Sequence, residues 1–224
     1  EFSHYVMDAR TGKFLYGKNY KKRLHPASLT KMMTIYLAFN ELKHNRMNLD
    51  DLVTISQNAA SEPSSKLWLL AGQKVSIRTL IRGAAIRSAN DAATAIGEHI
   101  SGSEAKFADY MTLTARAMGM SKTTFKNAHG LTSPNHLSSP KDMAILARRL
   151  IFDFPQYYNL FGRQSVSALG KTLYNTNRRF LTAYSGSDGI KTGFTSLAGY
   201  NLAASASRGN IRIIGVVFGA GSVA

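Results

Sequence analysis

The pattern of apolar and polar positions changes period along the chain, and each change marks an element. His4-Tyr5-Val6-Met7-Asp8 is a β-prone run, Arg10-Thr11-Gly12-Lys13 carries turn chemistry, and Phe14-Leu15-Tyr16 returns, which predicts a hairpin. From Leu29 to Leu42 apolar residues stand at 29, 32, 33, 35 to 39 and 42, with no polar face. A helix apolar almost all round is a buried one. After the polar stretch from Asn45 to Asp51, Val53-Thr54-Ile55 predicts a short strand, and a Ser-rich loop follows around Pro63. Arg78 to Ile86 and Asp91 to Ile100 predict two helices joined through Arg87-Ser88-Ala89-Asn90. Ser103 opens another, with Phe107, Tyr110, Met111 and Met118 on its stripe. Ser139-Pro140 is a cap followed by Pro at the first helical position, opening a helix through Leu150. The last third returns to strands, at Gly189 to Thr195, Ala198 to Ala206 and Ile211 to Phe218.

Strands, then helices, then strands predict an α+β fold. One antiparallel sheet is expected from about residues 1–24 and 180–224, with a helical part over about 25–179, all in one domain 1–224. The run Ile211 to Phe218 is apolar at both parities, Ile211, Ile213 and Val217 on one and Ile214, Val216 and Phe218 on the other. That pattern predicts burial on both faces of the sheet. The helical middle can cover only one face, so the natural polypeptide is expected to continue into a helix that covers the other.

Composition narrows the partners. Lys and Arg number 28 against 13 Asp and Glu, a net charge of +15, which suits an anionic surface or polymer. The arginines at 78, 82, 148, 149, 178, 179 and 212 are scattered and no nucleic-acid motif accompanies them, so no nucleic-acid partner is expected. The absence of cysteine removes disulfides, thiolate zinc sites and a Cys nucleophile. His129 and His136 stand seven apart in a loop without a His-Glu-x-x-His helix, so no metal site is expected. No apolar run approaches the ~20 residues of a bilayer span. The start at Glu1-Phe2-Ser3 lacks a leader pattern and reads as a mature or trimmed chain.

Three short patterns could carry chemistry. Ser-x-x-Lys occurs at Ser28/Lys31, Ser103/Lys106 and Ser138/Lys141; Ser-x-Asn occurs at Ser56/Asn58, Ser88/Asn90 and Ser133/Asn135; Lys-Thr-Gly occurs once, at Lys191-Thr192-Gly193. Ser103 reads as a helix cap, and Ser138 lies beside the Ser139-Pro140 cap with Lys141 in an exposed first turn. Ser28 differs, because it opens the all-apolar helix and Lys31 enters a buried environment one turn on. Burial favours a neutral amine that can act as a base. Ser28 as a plain N-cap with Lys31 snorkelling is the competing reading. Ser88-Ala89-Asn90 is either a cap or a junction aiming a hydroxyl and an amide into a cleft. Lys191-Thr192-Gly193 on a strand is either a bulge or a close approach to a ligand.

Taken together and in this order, the three patterns resemble the signature of serine β-lactamases and penicillin-binding proteins. Thr11-Gly12-Lys13, His25 to Lys31, Asn127-Ala128-His129-Gly130-Leu131, Gly189 to Thr195 and Ala198-Gly199-Tyr200-Asn201-Leu202 are similar to the low-molecular-mass D-alanyl-D-alanine carboxypeptidases, across essentially the whole chain. The resemblance implies a serine peptidase with Ser28 as nucleophile, Lys31 as base and Ser88 relaying a proton with Lys31. It implies that Asn90 holds the substrate amide and that Lys191, Thr192 and Thr195 receive its carboxylate. Gly193 and Phe194 would lie on the substrate-binding strand, with the N–H groups of Ser28 and Phe194 forming the oxyanion hole. His129 is expected to line the cleft. Peptidoglycan stem peptides as substrate, β-lactam antibiotics as covalent inhibitors, no cofactor, and export to the periplasm or outer membrane face follow from the same resemblance. From the same resemblance, the family's C-terminal helix, β domain and membrane anchor are not expected within these 224 residues.

Two other readings stand beside this one. A class A-like β-lactamase needs a Glu that activates water, and between Asn90 and Lys191 only Glu98 and Glu104 occur, neither in a Glu-x-x-Leu-Asn loop. A basic polyanion-binding protein without catalysis would need no intact motifs.

Overall fold

The computed structural model describes residues 2–223; Glu1 and Ala224, the ends of the expected domain, lie outside the described residues. The chain runs β1 (Ser3–Asp8), β2 (Phe14–Lys18), a 3₁₀ turn (Ala27–Thr30), α1 (Lys31–Lys43), β3 (Leu52–Thr54), α2 (Gln57–Ala60), β4 (Lys74–Ser76) and α3 (Ile77–Arg82). It continues through a π turn (Gly83–Arg87), α4 (Asn90–Ser101), α5 (Glu104–Ala117), α6 (Pro140–Asp153), α7 (Pro155–Tyr158), β5 (Ser165–Ala168), β6 (Lys171–Tyr174) and α8 (Arg178–Ala183). The strands β7 (Ser187–Thr195), β8 (Gly199–Arg208) and β9 (Ile211–Ala220) close it. The terminal strands form one five-stranded antiparallel sheet in the order β2-β1-β9-β8-β7, as the two-ended strand pattern predicts.

Helices α2, α3, α5 and α6 start where a side chain satisfies one of their first N–H groups. Ser103 accepts from Lys106 N–H at 3.2 Å and Ser139 from Asp142 N–H at 3.2 Å, with Pro140 at the first helical position. The cap reading of Ser103 is therefore the correct one, and Lys106 is exposed. Helix α1 is buried continuously from Lys31 to Phe39, as its missing polar face requires. The rings of Tyr36 and Phe39 pack edge-on against Phe154.

The middle of the chain is not wholly helical. It carries two small antiparallel pairs, β3–β4 and β5–β6. Residues Leu169 and Gly170, both at positive φ (52° and 69°), turn the second pair, and a Leu in that position disguises the hairpin in the sequence. Burial of β9 is also one-sided among the described residues: Ile214, Val216 and Phe218 are buried with Tyr5, Met7 and Ala203, where helix α6 packs. Ile213 and Val217 are only half-buried and Ile211 is exposed, so the expectation of two buried faces holds for one. Strand β7 is a sheet edge, and it lies against the 3₁₀ turn that carries Ser28.

Candidate active site

The turn before α1 is held in a conformation that its residues would not adopt alone. Ala27 has φ +50°, uncommon for a residue with a side chain, and such strain persists only where surrounding structure imposes it. Two contacts from the 127–136 loop impose it. The buried His136 ring accepts Lys126 N–H at Nδ1 (2.9 Å), so its proton sits on Nε2, 2.8 Å from Thr30 Oγ1. Burial, and then the neighbouring histidines and Lys126, hold its pKa down at about 3, keeping the ring neutral. Gly130, at φ +98°, meets the turn backbone to backbone: a Cβ there would lie 1.9 Å from Ala27 O. Gly130→Ala is therefore expected to destabilise the fold by more than about 3 kcal/mol, read as a drop in the urea midpoint, because neither carbonyl nor φ can yield cheaply.

Ser28 follows Ala27 and is half-exposed, while Lys31 is fully buried. No side chain caps this turn, so Ser28 is not spent as an N-cap. Lys31 Nζ lies 2.9 Å from Ser28 Oγ, 2.7 Å from Asn90 Oδ1 and 2.9 Å from the His129 carbonyl. Burial first, and then the charge of Lys191, hold the Lys31 pKa well below the ordinary 10.5; Glu62 and Asp91 only partly oppose them. A neutral amine has two N–H groups and one lone pair. The Asn90 and His129 oxygens can only accept, and Asn90 is fixed in that orientation by Nδ2 donating to Pro63 O at 2.8 Å. As an ammonium, Lys31 donates its third N–H to Ser28 Oγ; in the neutral form, which burial favours, that third position is the lone pair and would receive the Ser28 hydroxyl proton.

The Ser88–Asn90 corner is built by the π turn, which ends with Ser88 in the left-handed region at φ +59° and Ala89 N–H closing on Gly83 O at 3.0 Å. Asn90 then opens α4, one residue earlier than the pattern predicts. Ser88 Oγ receives a hydrogen bond from Lys191 Nζ at 2.8 Å, so its partner here is Lys191, not Lys31. Lys191 also donates to Thr192 O at 3.0 Å, and burial brings its pKa down to about 7. Gly193 is the point of closest approach between β7 and the turn, where a Cβ would meet Ser28 N at 2.9 Å. Beyond it Phe194 is exposed and packs on Tyr200, ring centroids 4.6 Å apart. Thr192 and Thr195 flank this stretch, their hydroxyls 2.8 Å from Thr176 Oγ1 and 3.3 Å from Thr132 Oγ1. Ser28, Lys31 and Asn90 thus share one hydrogen-bonded group and Ser88 and Lys191 a second, close enough for the charge of Lys191 to act on Lys31, with the Thr192–Thr195 edge beside them.

The sequence matches the D-alanyl-D-alanine carboxypeptidase family over residues 2–222. The chain belongs to this family. It is 42% identical over 220 residues to D-alanyl-D-alanine carboxypeptidase DacF of Bacillus subtilis (strain 168), covering 96% of this chain and 56% of that protein. The crystal structure of the carboxypeptidase DacD from Francisella tularensis is 33% identical and superposes with a TM-score of 0.93, over 98% of this chain and 66% of that one. Penicillin-binding protein D2 of Listeria monocytogenes in its cefotaxime-bound form gives 0.89 at 33% identity, over 98% and 90%. The chain spans a little over half the length of the curated carboxypeptidases it matches.

Within this carboxypeptidase-family domain, some residues sit differently from their sequence reading. The His129 side chain does not line the cleft: it is buried between Glu62 and Glu104, and only its carbonyl reaches Lys31. Ser138, beside the cap as read, is fully buried against Thr123, and Lys141, expected in an exposed first turn, is half-buried. Thr132, Thr176, Glu62 and Glu104 were not singled out as site residues, because each contributes through one side chain from a segment without a motif.

Proposed function

We propose that this chain is the catalytic domain of a serine D-alanyl-D-alanine carboxypeptidase, which removes the terminal D-Ala of peptidoglycan stem peptides through an acyl-enzyme on Ser28. The observation that carries this reading is the buried Lys31 amine, its two other contacts both carbonyl acceptors, facing Ser28 Oγ at 2.9 Å. Lys31 takes the Ser28 proton as the oxygen attacks the penultimate D-Ala carbonyl. The backbone N–H groups of Ser28 and Phe194 receive the oxyanion; losing one such donor typically costs ~10²–10³ in rate. The Ser88 hydroxyl, held by Lys191 at 2.8 Å, gives its proton to the leaving D-Ala amine and is reprotonated from Lys31 once the bound substrate brings the two groups into line. Water then hydrolyses the ester. Asn90 spends one amide N–H on Pro63 O and keeps the other for the substrate amide carbonyl. The substrate backbone pairs along the free edge of β7 between Lys191 and Thr195.

The terminal carboxylate meets Lys191, Thr192 and Thr195. Burial brings the Lys191 pKa down to about 7, and an arriving carboxylate favours its ammonium form. Amidating the terminal D-Ala is therefore expected to lower kcat/KM by about 10²-fold or more, and Lys191→Ala to erase most of that preference. Steady-state assays on acid and amide peptides check it; equal turnover of both would refute the role.

Penicillin acylates the same serine and stays. A β-lactamase reading lacks its water-activating Glu: Glu98 is held by Ser56 and Asn58, and Glu104 by His129. A binding-only protein would take no label from a fluorescent penicillin. The polymer substrate lies outside the cytoplasm, so we place the domain there, where a net charge of +15 suits an anionic wall or phospholipid surface. No helix among the described residues is long and apolar enough to cross a membrane.

A further inference from the structure

The buried His129 and the partly buried Glu62 and Glu104 form a cluster that the mechanism above does not use. His129 Nε2 lies 3.3 Å from Glu62 Oε1 and 3.2 Å from Glu104 Oε1. The three ligating atoms lie within 4.8 Å of one another, the spacing of a metal site. The donor chemistry points elsewhere. Leu131 N–H donates to His129 Nδ1 at 3.1 Å, so in the neutral ring the proton sits on Nε2 and faces the two carboxylates. A metal on Nε2 would need that lone pair and would leave Nδ1–H pointing at the Leu131 N–H. The cluster is a histidine donating to two acceptors.

Both carboxylates are themselves anchored. Glu62 Oε1 accepts from Thr94 Oγ1 on α4 at 2.8 Å. Glu104, the first residue of α5, accepts from Ala128 N–H and Asn58 Nδ2, each at 3.3 Å. The segments they hold supply two acceptors of the active site: the His129 carbonyl, 2.9 Å from Lys31 Nζ, and Pro63 O, adjacent to Glu62 in sequence, which orients the Asn90 amide. The same short loop continues to Gly130, in backbone contact with the Ser28 turn.

We propose that Glu62 and Glu104 are positioning residues which grip the His129 imidazole from two sides, fixing its carbonyl and thereby the direction of the Lys31 lone pair toward Ser28. The proposal rests on the Ser28–Lys31 reading. The charged and titratable groups around Lys31 are Lys191 on β7, Asp91 on α4, Glu62 and His129; those around His129 are Glu62, Glu104, Lys31 and His136. Burial works against a charged His129 ring, but the hydrogen bonds to Glu104 and Glu62 outweigh it and raise its pKa. A second proton would have to enter at Nδ1, against the Leu131 N–H.

The test is the rate of acylation by benzylpenicillin against pH, with the reversible binding constant measured separately, for wild type and for Glu62→Gln, Glu104→Gln, Glu62→Ala and Glu104→Ala. The Ala variants remove the acceptor. They are expected to acylate more slowly, by up to about 10²-fold for a displaced base, with reversible binding little changed. The Gln variants keep a carbonyl acceptor for Nε2–H, fold on the wild-type packing, and are expected to recover most of that loss. Glu62→Gln removes an anion beside Lys31, which disfavours the ammonium, so its alkaline rise moves to lower pH. A role confined to stability would lower the urea midpoint and leave the rate and pH profile of the folded protein untouched, and that result would overturn the proposal. Gln variants as impaired as the Ala variants would overturn it too. Failure of the underlying Ser28–Lys31 reading looks different: wild type itself would then carry no adduct on Ser28.

Discussion

Ser28→Ala is expected to lose covalent penicillin labelling altogether and D-Ala release by on the order of 10⁴–10⁶-fold, as removal of a nucleophile does in other serine hydrolases. Ser103→Ala and Ser138→Ala are expected to keep both activities. The three serines share the Ser-x-x-Lys spacing and differ in what surrounds them. Ser103 spends its hydroxyl on Lys106 N–H at a helix start, and Lys106 is exposed, so replacing it costs about 1 kcal/mol of stability and no chemistry. Ser138 is sealed in the interior against Thr123 Oγ1, which keeps a second partner in Asp142. Only Ser28 combines a half-exposed hydroxyl with a fully buried lysine. Intact-mass measurement after penicillin exposure reads the difference. An adduct persisting on Ser28→Ala would remove the nucleophile assignment.

Lys31→Met, which keeps much of the volume and removes the amine, is expected to slow acylation by about 10²–10⁴-fold, the range of a positioned general base. It also changes how stability depends on pH. Lys31 and Lys191 both have folded pKa values below the unfolded 10.5, Lys191 at about 7. Between the folded and unfolded values the unfolded chain binds more protons, so stability rises with pH across that window. For Lys191 the window runs from about 7 to 10.5. Urea midpoints measured across it should climb less steeply in Lys31→Met than in wild type, because one of the two buried amines is gone. Parallel slopes would mean that Lys31 keeps its ordinary affinity for protons.

Much of this was legible in the sequence, and the exceptions have physical causes. The all-apolar run from Leu29 to Leu42 gave away a buried α1, and with it the burial of Lys31. β-prone runs at both ends, joined by hairpin-short turns, announced a shared antiparallel sheet, and Ser139-Pro140 announced α6. The β5–β6 hairpin escaped because its turn places Leu169 where Asn or Gly is usual. The π turn escaped because it differs from α-helix only in which carbonyl each N–H reaches. At the site, the motif residues were readable because chemistry restricts their type and spacing. The side of His129 that matters was not, since its contribution to Lys31 is a backbone carbonyl, which any residue possesses. Glu62 and Glu104 lie 42 residues apart and meet only through folding, so no local pattern pairs them.

The central claim is that Lys31 is held neutral and takes the Ser28 proton. The most direct measurement is the rate of Ser28 acylation by benzylpenicillin as a function of pH, with the adduct located by digestion and mass spectrometry. Acylation is expected to rise with pH along a limb centred well below 10.5, where burial and Lys191 place the Lys31 pKa, and Lys31→Met should lose that limb. A limb centred at the ordinary lysine value, or one unchanged in Lys31→Met, would contradict the account.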